Sequence, residues 1–237
     1  MTIPGPGSIL GADGCPAGWL CVALDDSGAP QASVVPNFAL LLERFPDASC
    51  ITIDIPIGLP DRGDRACDTE ARRFIKPRSS SVFPAPVRGV LRANGYQDAL
   101  ARSREIDGRG LSKQAFNLIP KIAEVDAALR GDAELRKVVC EIHPEVSFRV
   151  WAGAAMAHYK KSAEGKRDRA ALIEREWPGS LARCQQELAQ VGGWADDDLI
   201  DAFAALWTAR RIVEGKAIQL PAVAEVDGAG LPMRMMA

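Results

Sequence analysis

Apolar and polar residues along this chain alternate with the period of strands, then recur with the period of helices, in an order that predicts an α/β protein. SILGAD (8–13) and GWLCVAL (18–24) read as two strands joined by the turn GCPAG, and after DDSGAPQ the run ASVV supplies a third. Short strands joined by tight turns make an antiparallel meander. NFALLLERF (37–45) then shows helical spacing and closes at Pro46-Asp47, after which CITIDIPIGLP (50–60) is a β-branched run ending in Gly and Pro. A strand reached through a helix should lie parallel to an earlier one.

Residues 60–135 change character. Arg, Ser, Pro and Gly dominate to about residue 92, and then Leu118, Ile122, Val125 and Leu129 recur at helical spacing, with Pro120 expected to start or kink that helix. KVVCEIHPEVSF (137–148) predicts another buried strand, and 160–190 reads as helical. LIDAFAALWTARRIVEG (199–215) predicts a helix with acids before it, arginines near its end and Gly as its stop. The predicted order is βββ-α-β-(insertion)-β-α-α, one domain over 1–237 with a largely helical insertion at 60–135. No internal repeat divides it.

Charge narrows the function classes. With 29 Lys plus Arg against 31 Asp plus Glu, the net charge of -2 excludes a whole-chain basic footprint for nucleic acid, so any polyanion site must be local. Six cysteines without a C-x-x-C pair interrupt apolar runs, which fits reduced core thiols and a cytoplasmic setting. MTIPGPGSIL carries no basic and apolar leader pattern, and no run approaches the roughly 18 apolar residues of a membrane span. The expectation is a soluble, unprocessed protein.

The candidate chemistry lies in carboxylates. Asp13, Asp54 and Glu141 each sit toward the end of an apolar strand just before a loop, and strand ends at one edge of an open sheet converge on a common crevice. Asp198 and Asp201, at i and i+3, share one face of the last helix. Gathered acids repel and hold protons unless a cation neutralises them, and Mg²⁺ or Mn²⁺ prefers such oxygen ligands. Two such ions in one centre suit phosphodiester hydrolysis. Each residue also has an ordinary role: a turn cap for Asp13, an Asx-turn for Asp54, an arginine partner for Glu141, and helix capping for Asp196, Asp197 and Asp198. His143, two residues beyond Glu141, is either a catalytic group or a histidine hydrogen-bonded at a strand end.

GADGCPAGW, IDIPIGLP, RSSSVFP, SKQAFNLIPKIAEVD, EIHPEVSF and DDLIDAFAALWTAR together resemble the signature segments of an uncharacterised family, domain of unknown function 429, described as predicted ribonuclease H-like nucleases. The resemblance runs from about residue 9 to 213. It implies a ribonuclease H-like three-layer fold: a five-stranded mixed sheet, antiparallel meander first and parallel strands after it, flanked by helices. DLIDAFA is also similar to the closing acidic helix of RuvC-type Holliday-junction resolvases, D-x-x-D-A-x-A, which implies metal-ligand roles for Asp198 and Asp201 and, through the first-strand acid of that superfamily, for Asp13. Those resolvases carry their strand glutamate where this chain has Asp54, whereas Glu141 lies one strand later; both are retained as ligands.

Between Arg62 and Arg92 eight basic residues face three acids, a net of +5. This run offers Arg72 and Arg78 to phosphates, with the hydroxyls of Ser80 and Ser81 beside them; Lys121, and Lys161 in the lysine-rich stretch with Lys160 and Lys166, extend the candidate substrate contacts. Such charge runs are more often solvated faces. The leading expectation is a two-metal-ion nuclease acting on DNA or RNA as a monomer or homodimer. The alternatives are a phosphotransferase or nucleotide-binding protein of the actin-like ATPase type, and a non-catalytic nucleic-acid-binding protein of the same fold.

Overall fold

The structure, a computed structural model, describes residues 7–237, so the leader-free reading of the first six positions lies outside the described residues. The chain forms β1 (Ile9–Cys15), β2 (Gly18–Leu24), β3 (Pro30–Val35), α1 (Phe38–Arg44), β4 (Cys50–Ile53), α2 (Ala66–Phe74), α3 (Tyr96–Asp107), α4 (Lys113–Gly131), the short α5 (Leu135–Val138), β5 (Val139–Glu141), α6 (Pro144–Ala152), α7 (Ala163–Glu176), α8 (Ser180–Glu187), α9 (Asp196–Val213), β6 (Gln219–Val226) and β7 (Pro232–Met236). These divide into two compact units, one of residues 1–54, 138–218 and 236–237 and one of 55–137 and 219–235.

The first unit holds a five-stranded mixed sheet of order β3-β2-β1-β4-β5. β1 pairs antiparallel with β2, and β2 with β3; β4 is parallel to β1, and β5 to β4. The meander follows from the two-residue loop Pro16-Ala17 between Cys15 and Gly18, which face each other across the hairpin. Period-2 alternation then assigns faces. Ile9, Leu20, Val22 and Cys15 turn to the side where α9 packs, in a core with Phe203, Leu206, Trp151 and Trp177. Trp19 turns the other way, its ring 5.6 Å from that of Phe38 on α1.

Helix α9 approaches the sheet at backbone distance. A Cβ on Gly11 would lie 2.0 Å from the Leu206 nitrogen and 2.5 Å from the Ala202 oxygen, so only hydrogen fits there. The small residues Ala202 and Ala205 permit this approach, and the Thr52 hydroxyl of β4 donates to the Ala205 oxygen at 2.7 Å.

Two expected strands prove shorter. The run 50–60 is a strand only to Ile53, because Pro56 and Pro60 have no N–H for a ladder and Gly58 takes a left-handed φ of 72°. Of 137–148 only Val139–Glu141 is strand: Pro144, whose missing N–H costs nothing at a first helical position, begins α6, and His143 is its N-cap. The helical stretch 160–190 breaks into α7 and α8 at Gly179, φ 73°.

The second unit contains α2, α3, α4, two 3₁₀ turns and the β6–β7 hairpin. α4 starts at the Ser112 cap and runs through Pro120. Val87, Val90, Ala99, Leu111, Ala115 and Ile119 form a core here. The Asp227 carboxylate receives the backbone N–H groups of Leu59, Ala229 and Leu231 and an ion pair from Arg88, which fastens the hairpin turn to the start of the unit. All six cysteines of the chain are buried thiols, and no helix among the described residues is long and apolar enough to cross a membrane.

Candidate metal centre

The strand periodicity that turns Gly11 and Thr52 toward α9 does the same for Asp13 and Asp54, two residues farther along β1 and just past β4. The Asp54 N–H continues the ladder by donating to the Ala12 oxygen at 3.3 Å, which holds the two aspartates level at one sheet edge. Ala202 and Leu206 of α9 lie over Gly11, and the helix's first turns carry Asp198 and Asp201, whose charges both act on Asp13.

Electrostatics report the convergence. Burial, then repulsion from Asp54, Asp201 and Asp198, pushes the Asp13 carboxyl well above the usual carboxylate range, with Lys160 opposing. Asp54 is also raised, chiefly by burial, with His143 and Lys160 pulling it back. Asp201 is pushed up to about 6 by burial, offset by Lys160 and reinforced by Asp54. Lys160 donates to Asp201 Oδ2 at 2.7 Å. Burial alone would lower its pKa; attraction to Asp201, Asp54 and Asp13 outweighs this and raises it.

One cation is too little for this group. Asp201 is 3% exposed, and its Oδ1 is buried with no hydrogen-bond partner among the described residues. A buried carboxylate oxygen without a donor costs about 1–3 kcal/mol, so this oxygen is open to a water or an ion. The donors around it are carboxylate oxygens, the set that suits Mg²⁺ or Mn²⁺. Asp13 and Asp198 each retain an ordinary duty as well: Asp13 Oδ1 accepts the Gly14 N–H at 2.7 Å, and Asp198 Oδ2 accepts the Ala195 N–H at 2.8 Å, capping α9.

The other candidates fall elsewhere. Glu141 pairs with Ile53, one residue out of phase with Thr52, so alternation turns it to the sheet face opposite α9 and away from the four aspartates. Glu141 is buried on that face. His143 Nδ1 accepts the Glu145 N–H at 3.2 Å as the cap of α6, and its ring still lies within electrostatic reach of Asp54.

Arg72, Arg78, Ser80, Ser81 and Lys121 belong to the second unit. Arg72 Nε donates to the Val82 oxygen at 2.9 Å, an internal bond that engages its guanidinium; Arg78 precedes the 3₁₀ turn Ser79–Ser81, in which Ser80 is exposed and Ser81 half-buried. Lys121 is half-buried on α4, and Lys161, in the first unit, is exposed.

Sequence reasoning placed Lys160 among the phosphate-facing lysines rather than inside the acid group, and it singled out neither Glu145 nor Arg169. The signal was faint: Lys160 and Asp201 are 41 positions apart, and only the fold joins them.

The chain belongs to a family described as protein of unknown function (DUF429), whose model matches residues 11–226. No curated protein and no solved structure matches it significantly.

Proposed function

We propose that this protein is a metal-dependent nuclease with a ribonuclease H-like fold, hydrolysing phosphodiester bonds of DNA or RNA. The strand order β3-β2-β1-β4-β5, with the first three strands antiparallel and the rest parallel, supports the fold reading. The observation that carries the function is the gathering of Asp13, Asp54, Asp198 and Asp201, with a buried oxygen of Asp201 left unpartnered. Asp13, Asp54 and Asp201 would hold Mg²⁺ or Mn²⁺, with Asp198 beside them. The bound ion would supply Lewis-acid stabilisation of the charge that builds on phosphate oxygens.

The chain's own residues do the rest of the work. The sheet edge and the start of α9 hold the carboxylates rigidly, so little reorganisation is needed when charge develops. His143, within electrostatic reach of Asp54, would hold or give up a proton near the reacting phosphate. Lys160 contributes a positive charge to an otherwise anionic centre.

The test is incubation of the purified chain with Mg²⁺ or Mn²⁺ and a panel of single-stranded, duplex and branched DNA and RNA. Cutting of at least one substrate, lost in a folded Asp13→Asn variant, is the expected result. Failure to cut any of them, together with undetectable Mn²⁺ binding, would sink the proposal. Nucleic-acid binding that persists without cutting, and is indifferent to Asp13→Asn, would identify a non-catalytic binder.

A further inference from the structure

We infer that Lys160 is a resident cation of this acidic centre, standing where a two-ion scheme would put its second metal, so that the centre loads one divalent ion. This rests on the metal-dependent reading above and changes its stoichiometry. Asp201 divides its two oxygens. Oδ2 takes the Lys160 ammonium at 2.7 Å, and Oδ1 is buried without a partner among the described residues. A divalent ion belongs about 2.0–2.2 Å from a carboxylate oxygen, and placed on Oδ2 it would touch the ammonium, so the two positive charges exclude each other there. Oδ1 is therefore the oxygen that remains for metal.

Lysines usually wave in solvent, and this one could be displaced if its backbone were loose. It is not. Lys160 is carried on a segment pinned at the two residues before it. The Tyr159 oxygen receives both the Ser162 N–H and the Ser162 hydroxyl at 2.9 Å. The His158 oxygen receives Arg169 Nη1 at 3.4 Å. Arg169 is itself 1% exposed and held by Glu145, with Nη2 at 2.5 Å and Nε at 3.1 Å from Oε1, while Nη1 also donates to the Gly165 oxygen at 2.8 Å. Gly165 lies so close that a Cβ there would meet the Tyr159 oxygen at 1.9 Å. A buried ion pair, a helix cap and a glycine contact thus all serve to present one ammonium to Asp201. The side chain remains 38% exposed, so it also faces whatever enters the centre.

Mn²⁺ titration of the metal-stripped chain, read by the electron paramagnetic resonance of free Mn²⁺ and by calorimetry, tests this without any assay of activity. Asp13→Asn subtracts adventitious surface binding. The expected result is one specific ion for the wild type and for Lys160→Arg, and two for Lys160→Met, with Lys160→Gln as a second neutral replacement should Met not fold. Two ions in the wild type, or one ion in both wild type and the neutral variants, or loss of binding on neutralising Lys160, would each overturn the inference while leaving a metal centre in place. No specific Mn²⁺ in any of these proteins would overturn the metal reading itself, and this inference with it.

Discussion

Replacing Gly11 by alanine exchanges one hydrogen for a methyl group at the point where β1 meets α9. That carbon would stand 2.0 Å from the Leu206 nitrogen, 2.5 Å from the Ala202 oxygen and 2.5 Å from the Ala205 carbonyl carbon. Heavy atoms rest at about 3.5–4.0 Å, so the helix must retreat by more than about 1 Å. Where flexible side chains obstruct, overpacking costs about 1–3 kcal/mol; here the obstruction is helix backbone, which cannot rotate aside. The retreat also stretches the 2.7 Å bond from Thr52 to the Ala205 oxygen, worth about 1 kcal/mol. Together these predict a loss of roughly 3–4 kcal/mol, a large part of the 5–15 kcal/mol that holds a typical domain together. In urea, with a slope of about 2–3 kcal/mol per M, the midpoint should fall by about 1 M or more. The same displacement carries Asp198 and Asp201 away from Asp13, so stabilisation by Mn²⁺ should disappear even where the variant is folded. A midpoint within about 0.3 M of the wild type, with the Mn²⁺ response intact, would refute the close-packing argument and the site geometry built on it.

Two further perturbations follow from the same geometry. In EDTA the chain should lose stability as pH rises from about 4 to about 6. Over that window the folded state keeps a proton on Asp201, raised to about 6, that the unfolded chain has already released; Asp13 and Asp54 are raised in the same direction, and Asp201 alone contributes on the order of 3 kcal/mol. Asp13→Asn should flatten this slope in urea titrations run from pH 4 to 8, and a slope of opposite sign in the wild type would contradict the clustering. Arg169→Met should cost about 3–5 kcal/mol by leaving the Glu145 carboxylate buried and unpaired, with much of the loss recovered on adding Glu145→Gln; a urea midpoint unchanged by Arg169→Met would show that the pair is not the anchor described.

Local pattern sufficed for the meander, β4, α1 and α9, because alternation, turn residues and capping acids act over a few residues. It also holds two further signals. The His143-Pro144 pair fits a cap and first residue of a helix, which ends β5 at Glu141, and the alternating QLPAVAEV followed by DGAG marks the β6–β7 hairpin. Given the sheet register, period-2 alternation separates Asp54 from Glu141: Thr52 and Asp54 share a face, whereas Ile53 and Glu141 share the other.

Composition and short-range spacing by themselves determined that the chain makes a mixed α/β sheet and that acids recur at strand ends and along one helix face. Which of those acids meet was decided by tertiary structure alone, through the register of β4 and β5 and the glycine contact that brings α9 onto β1. The ammonium of Lys160 reaches Asp201 from a segment fixed by the nearby buried Arg169, itself paired with Glu145 24 positions earlier, and no local propensity encodes a contact across 41 residues. Propensities act over one or two turns of chain; electrostatic partnership depends on distance in space, which exists only after packing has set it.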